Sequence, residues 1–308
     1  MTGNYTVLTG GVGGAKLVDG LYRTVAPDRL TAIVNTGDDF HHYGLAISPD
    51  IDTLLYTLAE KSNTELGWGR ADESWNFMAA LRELGGENWF NLGDGDMALH
   101  ILRTAALGNG KSLTQVTDDF VRRWNLAVKV LPMTNDRIST WVDTAGGPLE
   151  FQRYFVEKRC EPVVESIRFE GSADAQPTPD ALKAINDCEV IIIAPSNPWL
   201  SIDPILSMPS LRSALIKSEA PVILVSPLVR GTSVKGPTAK LMGELGLEIN
   251  NRSIAAHYEG LLDGIIIHEG DDVPESIPVF ETNTLMVNIQ DRCNLAKVTL
   301  NHAKSLIS

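Results

Sequence analysis

The stretch Tyr5-Thr-Val-Leu-Thr-Gly-Gly-Val-Gly-Gly-Ala-Lys16 decides the fold. Its first five residues, Tyr5–Thr9, read as a buried strand, glycines follow at once, and helical spacing runs from about Lys16 to Val25. Backbone amides in such a turn, together with the helix N-terminus behind it, form an anion site, and glycine lets the backbone approach phosphate closely. Gly10, Gly11, Gly13, Gly14 and Lys16 are therefore candidate phosphate-binding residues. The segment is not a Walker A loop, because Ala15 and Leu17 stand where that motif needs Gly and Ser or Thr. Nor is it a GxGxxG turn, because Lys16 takes the third glycine position. A tight strand-to-helix turn without a ligand is the alternative.

The same alternation continues outward. Leu30–Asn35, Lys129–Pro132, Glu189–Ala194 and Pro221–Ser226 read as strands. Helical patterns cover Asp72–Leu84, Pro179–Asp187 and Pro209–Lys217, and Ser112-Leu-Thr-Gln115 fits a capping box opening a helix to about Trp124. Continuous β-branched runs separated by helices indicate parallel strands covered on both faces. The expectation is a doubly wound, mostly parallel, Rossmann-like α/β sheet. Residues 1–308 then form a single α/β domain, interrupted at about 140–178 by a smaller inserted substructure with a hairpin over Trp141–Phe155 and a polar linker over Ser172–Pro179.

Composition narrows the function. The 308 residues carry 26 basic and 39 acidic side chains, a net charge of −13, with 44% hydrophobic and 21% charged residues. That balance suits a folded globular chain and argues against a duplex nucleic-acid surface, which needs a basic footprint. No apolar run reaches the roughly 20 residues of a membrane span, and the N-terminus lacks the pattern of a signal peptide. Cys160, Cys188 and Cys293 are widely spaced and make neither a disulfide framework nor a zinc site. A cytoplasmic location is the expectation, and a C2 homodimer the simplest assembly.

Polar loops gather where the strands end. Asn35-Thr-Gly-Asp-Asp39 closes the second strand, with Asn35 about where a dinucleotide fold places its ribose-binding acid. Asp38 and Asp39 either hold a metal or cap a turn. Ser48-Pro-Asp-Ile-Asp-Thr53 sets Asp50 and Asp52 two residues apart at a helix start, where they share a hard cation, divide base and ligand roles, or serve as an N-cap. Leu92-Gly-Asp-Gly-Asp96 is read as a polar turn at the mouth of a site, with His100 one helical turn on. Two prolines fix the loop Ala194-Pro-Ser-Asn-Pro198. The loop Pro227–Lys240 offers Arg230, Lys235, Gly236 and Lys240, a local basic clamp in an acidic protein or a solvated loop. No signature of covalent catalysis is present.

Together, in order, GGVGGAKL, VNTGDD, SPDIDT, GWGR, LGDGD, LPMTNDR, APSNPWLSIDPIL and VSPLVRG…VKGPTAKLM resemble the 2-phospho-L-lactate transferase family of coenzyme F420 biosynthesis, in its bacterial form. The resemblance spans about residues 5–245 and continues more weakly through His257-Tyr258 and Leu261-Leu-Asp263. It implies transfer of a phosphorylated three-carbon acid (phospholactyl, phosphoenolpyruvyl or phosphoglyceryl) from a GDP-linked donor to the ribityl hydroxyl of the deazaflavin Fo. GMP leaves, and Mg²⁺ is the implied cofactor.

Carried onto this chain, the resemblance implies Asp50 and Asp52 as catalytic residues and metal ligands, with Asp39 a further possible ligand. It implies Asp52, Asn91, Asp94 and Asp96 on the Fo side. Gly10, Gly11, Gly13, Gly14, Lys16, Asn35, Ser196, Asn197, Pro198, Gly236 and Lys240 would serve the nucleotide and its phosphates. Asn91 and Gly95 stand where the family pattern often carries basic residues, and Thr134-Asn135-Asp136-Arg137 replaces its Ser-Asp-Asp-Arg. The competing readings are an NAD(P)-dependent oxidoreductase, which lacks its third glycine and strand-end acid here, and a non-catalytic nucleotide-binding protein, which would not need SPDIDT and LGDGD together.

Overall fold

The structure, a computed structural model, describes residues 3–307. Strand β1 (Tyr5–Thr9) is buried throughout and feeds helix α1 (Gly11–Tyr22). The helix starts at Gly11 rather than near Lys16, so the glycines are its first turn. Glycine is a poor helix former, which is why its run reads as a loop. Packing overrides that preference. A Cβ at Gly13 would come within 2.5 Å of the Pro195 carbonyl oxygen, and one at Gly14 within 2.2 Å of Thr9 Oγ1.

Next come β2 (Leu30–Val34), the hairpin β3 (Phe40–His42) and β4 (Leu45–Ile47), and α2 (Pro49–Leu58) with Pro49 in its first turn. Helices α3 (Asn76–Glu83), α4 (Asp94–Gly108) and α5 (Leu113–Arg123) lead to β5 (Lys129–Pro132). Both bonds of the Ser112–Gln115 capping box are made. The segment Gly93–Asp96 opens α4 rather than forming a free turn.

The chain then leaves the central sheet. Strands β6 (Ser139–Thr144) and β7 (Gly147–Glu150) form the expected hairpin. A π-helical turn (Arg153–Glu157) follows, and β8 (Val164–Glu170) pairs with the other edge of β6. Strand β8 has no counterpart in the sequence reading, because its polar residues bury only Val164 and leave little apolar signal.

The second half runs α6 (Pro179–Asp187), β9 (Val190–Ile193), a π-helical turn (Pro198–Ile202), α7 (Asp203–Leu206), α8 (Pro209–Lys217) and β10 (Val222–Val225). It ends with the small hairpin β11 (Leu228–Val229) and β12 (Thr232–Ser233), then α9 (Thr238–Glu244), α10 (Asn251–His257), β13 (Gly264–His268), β14 (Val279–Thr282) and α11 (Ile289–Ile307).

Seven strands make one all-parallel sheet in the order β14-β13-β10-β9-β1-β2-β5. Its two faces carry separate cores. Tyr5 and Val7 point into one with Leu17, Leu54, Phe120 and Leu295, whereas Leu8 points into the other with Ile185, Leu211, Leu215 and Tyr258. Each such fully buried side chain contributes about 1.5–3 kcal/mol. The strand order reverses between β1 and β9, which opens a crevice at their C-terminal ends, where open α/β sheets receive ligands. Among the described residues, no helix is long and apolar enough to cross a membrane.

Candidate active site

A cavity of about 850 Å³ opens at that crevice. One wall starts at Gly10, whose N–H donates to Ser196 Oγ (3.2 Å) while the Ser196 hydroxyl donates to the Gly10 carbonyl (2.7 Å). Gly11, at φ +64°, takes a backbone conformation that favours glycine. Its N–H donates to Asp50 Oδ1 at 2.7 Å. A Cβ at Gly10 would lie 2.5 Å from Asp50 Oδ2, so only glycine lets turn and carboxylate meet. Gly13, Lys16, Asn197 and Gly236 also line this wall. Lys16 Nζ donates to the Met286 carbonyl (2.8 Å), and burial, with Arg292 and Lys235 nearby, lowers its pKa.

Beneath the turn, two carboxylates share one amide. Asn35 Nδ2 donates to Asp50 Oδ2 (2.9 Å) and Asp38 Oδ1 (3.2 Å), and Gln152 Nε2 reaches Asp38 Oδ2 (3.2 Å). Burial pushes the Asp50 carboxyl up to about 6, against the lowering effect of its bonds from Asn35 and Gly11. Burial, then the Asp50 charge, raises Asp38 well above the usual carboxylate range. Both aspartates face the cavity. Asn35 stays fully buried beneath them, outside the cavity lining, where it positions the carboxylates. Asp39 is raised by burial and accepts from Ser48 Oγ (2.7 Å), outside the cavity lining.

Asp52 turns away from Asp50 and toward α4. Its oxygens take both Nη groups of the buried Arg103, one at 3.1 Å, and His100 Nδ1 stands 3.7 Å away. Burial raises its pKa, and Arg103 and His100 oppose that rise. His100 Nε2 lies 3.3 Å from Asp96, which also accepts the Tyr56 hydroxyl. Residues 96, 100 and 103 share one helix face at i, i+4 and i+7, a polar stripe in an otherwise apolar stretch that makes Arg103 recoverable from sequence. Trp68, Trp89, Phe90 and Asn91 complete this side of the cavity.

Several expected site residues lie elsewhere. Asp94 does not line the cavity: its carboxylate accepts from Ser74, Asn76 and Phe77 at the start of α3, which pulls its pKa down to about 2. Lys240 turns to Glu244 (2.5 Å) and the Pro162 carbonyl (2.9 Å), bracing the insert outside the cavity lining. Gly14 and Pro198 pack behind the wall. At Gly95 a Cβ would collide with the Arg70 guanidinium, so a cation from the GWGR segment fills the space where the family pattern places a basic side chain. The insert adds Phe151, Gln152, Phe155, Val156 and Arg159, none of them marked by a motif.

A doubly wound sheet with a glycine turn set against buried carboxylates at its switch point defines a phosphate-handling α/β protein. Comparison with known proteins specifies it: the family described as 2-phospho-L-lactate transferase CofD matches residues 5–300, and the chain belongs to that family, a transferase of coenzyme F420 biosynthesis. It is 42% identical over 272 residues to a phosphoenolpyruvate transferase of Kitasatospora aureofaciens, covering 86% of this chain and 85% of the relative. It is 40% identical over 308 residues to a 2-phospho-L-lactate transferase of Methanopyrus kandleri, with 98% of each covered. Among solved structures, a UPF0052-family protein from Bacillus halodurans superposes with a TM-score of 0.64 at 17% identity, covering 96% of this chain and 99% of that one, which supports the fold alone.

Proposed function

We propose that the chain moves a phosphorylated three-carbon acid from a GDP-linked donor to the ribityl hydroxyl of Fo, releasing GMP. The observation that carries this reading is the single cavity joining two unlike half-sites across the Asp38–Asp50 pair. On one side are the glycine turn, Lys16 and the Ser196–Asn197 loop, a set suited to a diphosphate. On the other are Trp68, Trp89 and Phe90, flat apolar surfaces suited to a tricyclic deazaflavin, with Asp52 and Asp96 toward the hydroxyl tail.

Mg²⁺ fits the residues present. No cluster of three or more His, Cys, Asp or Glu side chains suited to a metal occurs among the described residues. Mg²⁺ does not need one, since it commonly takes one or two carboxylates and completes its shell with phosphate and water. Asp38 and Asp50, which burial leaves short of compensating charge, are the carboxylates to hold it. When bound, the ion supplies positive charge to the diphosphate.

The protein's own part is positioning. The Gly10–Gly13 turn holds the phosphates, and Asn35 and Gln152 fix the carboxylate pair. Asp52, raised by burial but tied to Arg103, accepts a hydrogen bond from the attacking hydroxyl and draws its proton away. Calorimetric titration with GDP, with and without Mg²⁺, and then with Fo, tests the assignment, and product mass identifies the acid. Asp52→Asn should abolish turnover while GDP affinity stays within about tenfold; parallel loss of both removes Asp52 from this role. The working enzyme is expected to be a cytoplasmic homodimer, and light scattering reads its mass.

A further inference from the structure

The insert lines the cavity through Phe151, Gln152, Phe155, Val156 and Arg159, which share helical spacing. Its cations are not equivalent. Arg153 pairs with Glu87 (3.0 Å) and Glu157 (2.8 Å), and Lys158 pairs with Glu157 (2.9 Å). Arg159 forms no ion pair or hydrogen bond through its side chain among the described residues, although it lines the cavity. The other cations on the lining, Lys16 and Lys235, each donate to a backbone carbonyl.

Arg159 is also held at a local cost. It sits at φ +51° and Cys160 at φ +56°, two successive side-chain-bearing residues in the left-handed region. The conformation is pinned by a helix-end closure: Lys158 N–H donates to the Arg153 carbonyl (2.9 Å) and Cys160 N–H to that of the buried Tyr154 (3.0 Å). Glycine adopts such a position freely, as it does after other helices at Gly85, Gly110 and Gly246, while Glu60 and Asn125 take it after α2 and α5. An arginine there gives up backbone stability and stands, exposed, on the cavity lining. Of the side-chain-bearing residues in the left-handed region among the described residues, only Arg159 lines the cavity, and strain placed there points to a ligand.

We propose that Arg159 receives the carboxylate of the transferred three-carbon acid and thereby sets which donors are accepted. The inference rests on the transferase reading above. The diphosphate already has the glycine turn, Lys16 and Lys235. Gln152 places the start of the insert face on Asp38, so an acid leaving the phosphorus away from guanosine runs along that face toward Arg159. The cavity that Arg159 lines also carries Asp38, Asp50, Asp52 and Asp96, and its other cations, Lys16 and Lys235, are already bonded to backbone carbonyls. A planar guanidinium answers a carboxylate with two parallel hydrogen bonds.

The test compares calorimetric binding of GDP, its lactyl ester and its ethyl ester, which lacks only the carboxylate, to the full-length protein with Mg²⁺. The unsubstituted protein should prefer the lactyl over the ethyl ester by about 10- to 100-fold, the range for a charge-assisted bond. Arg159→Gln should erase that preference with GDP affinity within about twofold, and Arg159→Lys should restore part of it. Arg159→Gly should erase it too while the melting temperature holds or rises, which separates loss of recognition from misfolding. A preference unchanged in Arg159→Gln overturns the inference. Equal weakening of GDP and both esters also overturns it and makes Arg159 a phosphate contact. Failure of the unsubstituted protein to bind GDP or either ester overturns the transferase reading, and this inference with it.

Discussion

Arg103 is where burial and charge are most tightly bound together. Its guanidinium is 1% exposed, takes both oxygens of Asp52, and reaches the Ala46 carbonyl (3.3 Å). Replacing it with methionine keeps much of the volume but leaves Asp52 buried without its cation, a change that costs about 3–5 kcal/mol. Urea denaturation of Arg103→Met reads that loss, and a loss below about 1 kcal/mol would mean the pair is hydrated and not sealed. Lys240 gives the opposite prediction from the one its sequence position invites. Lys240→Ala should leave GDP affinity within about twofold, because the ammonium braces Glu244 and Pro162, and titration of the variant decides between clamp and brace. The contrast shows what local sequence encodes at a site. Asp50, Asp52 and Asp96 are legible because short polar motifs at strand and helix starts announce them. The direction in which a side chain turns is not, because for Lys240 it depends on an insert that arrives from 78 residues away.

At the scale of elements, close backbone approach does work that apolar periodicity does not report. Helix α1 is clamped between β9's loop and α11: beside the contacts at Gly13 and Gly14, a Cβ at Gly20 would lie 2.2 Å from the Arg292 carbonyl oxygen. Gly20→Ala should therefore be destabilising by about 1–3 kcal/mol, the cost of overpacking, even though alanine is the better helix former. A melting temperature equal to that of the unsubstituted protein would show that α11 yields. The same helix explains where sequence reading of the fold succeeds and where it fails. Val190–Ile193 and Val222–Val225 are buried on both faces and read as strands without ambiguity. The boundary of α1 is not legible in its own residues because its glycines answer, beside nearby Thr9, to Pro195 and Ser196 far away in sequence. Strand β8 escaped notice for the same reason, since its polar residues owe their place to β6.

Across the whole molecule, the sheet gathers Asp38, Asp50 and Asp52 at one crevice, with Asp39 outside its lining, in a chain whose net charge is already −13. Burial raises the pKa of all four, Asp50 to about 6. A carboxyl whose folded pKa exceeds its unfolded value of about 3.9 keeps, on folding, a proton that the unfolded chain releases. Stability from these groups is therefore fullest below about pH 4 and is lost as the pH rises through the folded values, with the Asp50 share gone above about pH 6. A cation held by ionised Asp38 and Asp50 opposes that loss, so its stabilising effect should grow over the same interval. With Mg²⁺ at about a hundred times its Kd at pH 8, the gain is about 2.7 kcal/mol, or roughly 4 °C in melting temperature for a chain of this size. At pH 5 the gain should be clearly smaller, because the ion competes with protons for the same oxygens. Scanning calorimetry at the two pH values, with and without Mg²⁺, measures both numbers, and Asp50→Asn should abolish the difference. Equal gains at both pH values would place the cation away from these carboxylates, on surface acids that stay ionised throughout.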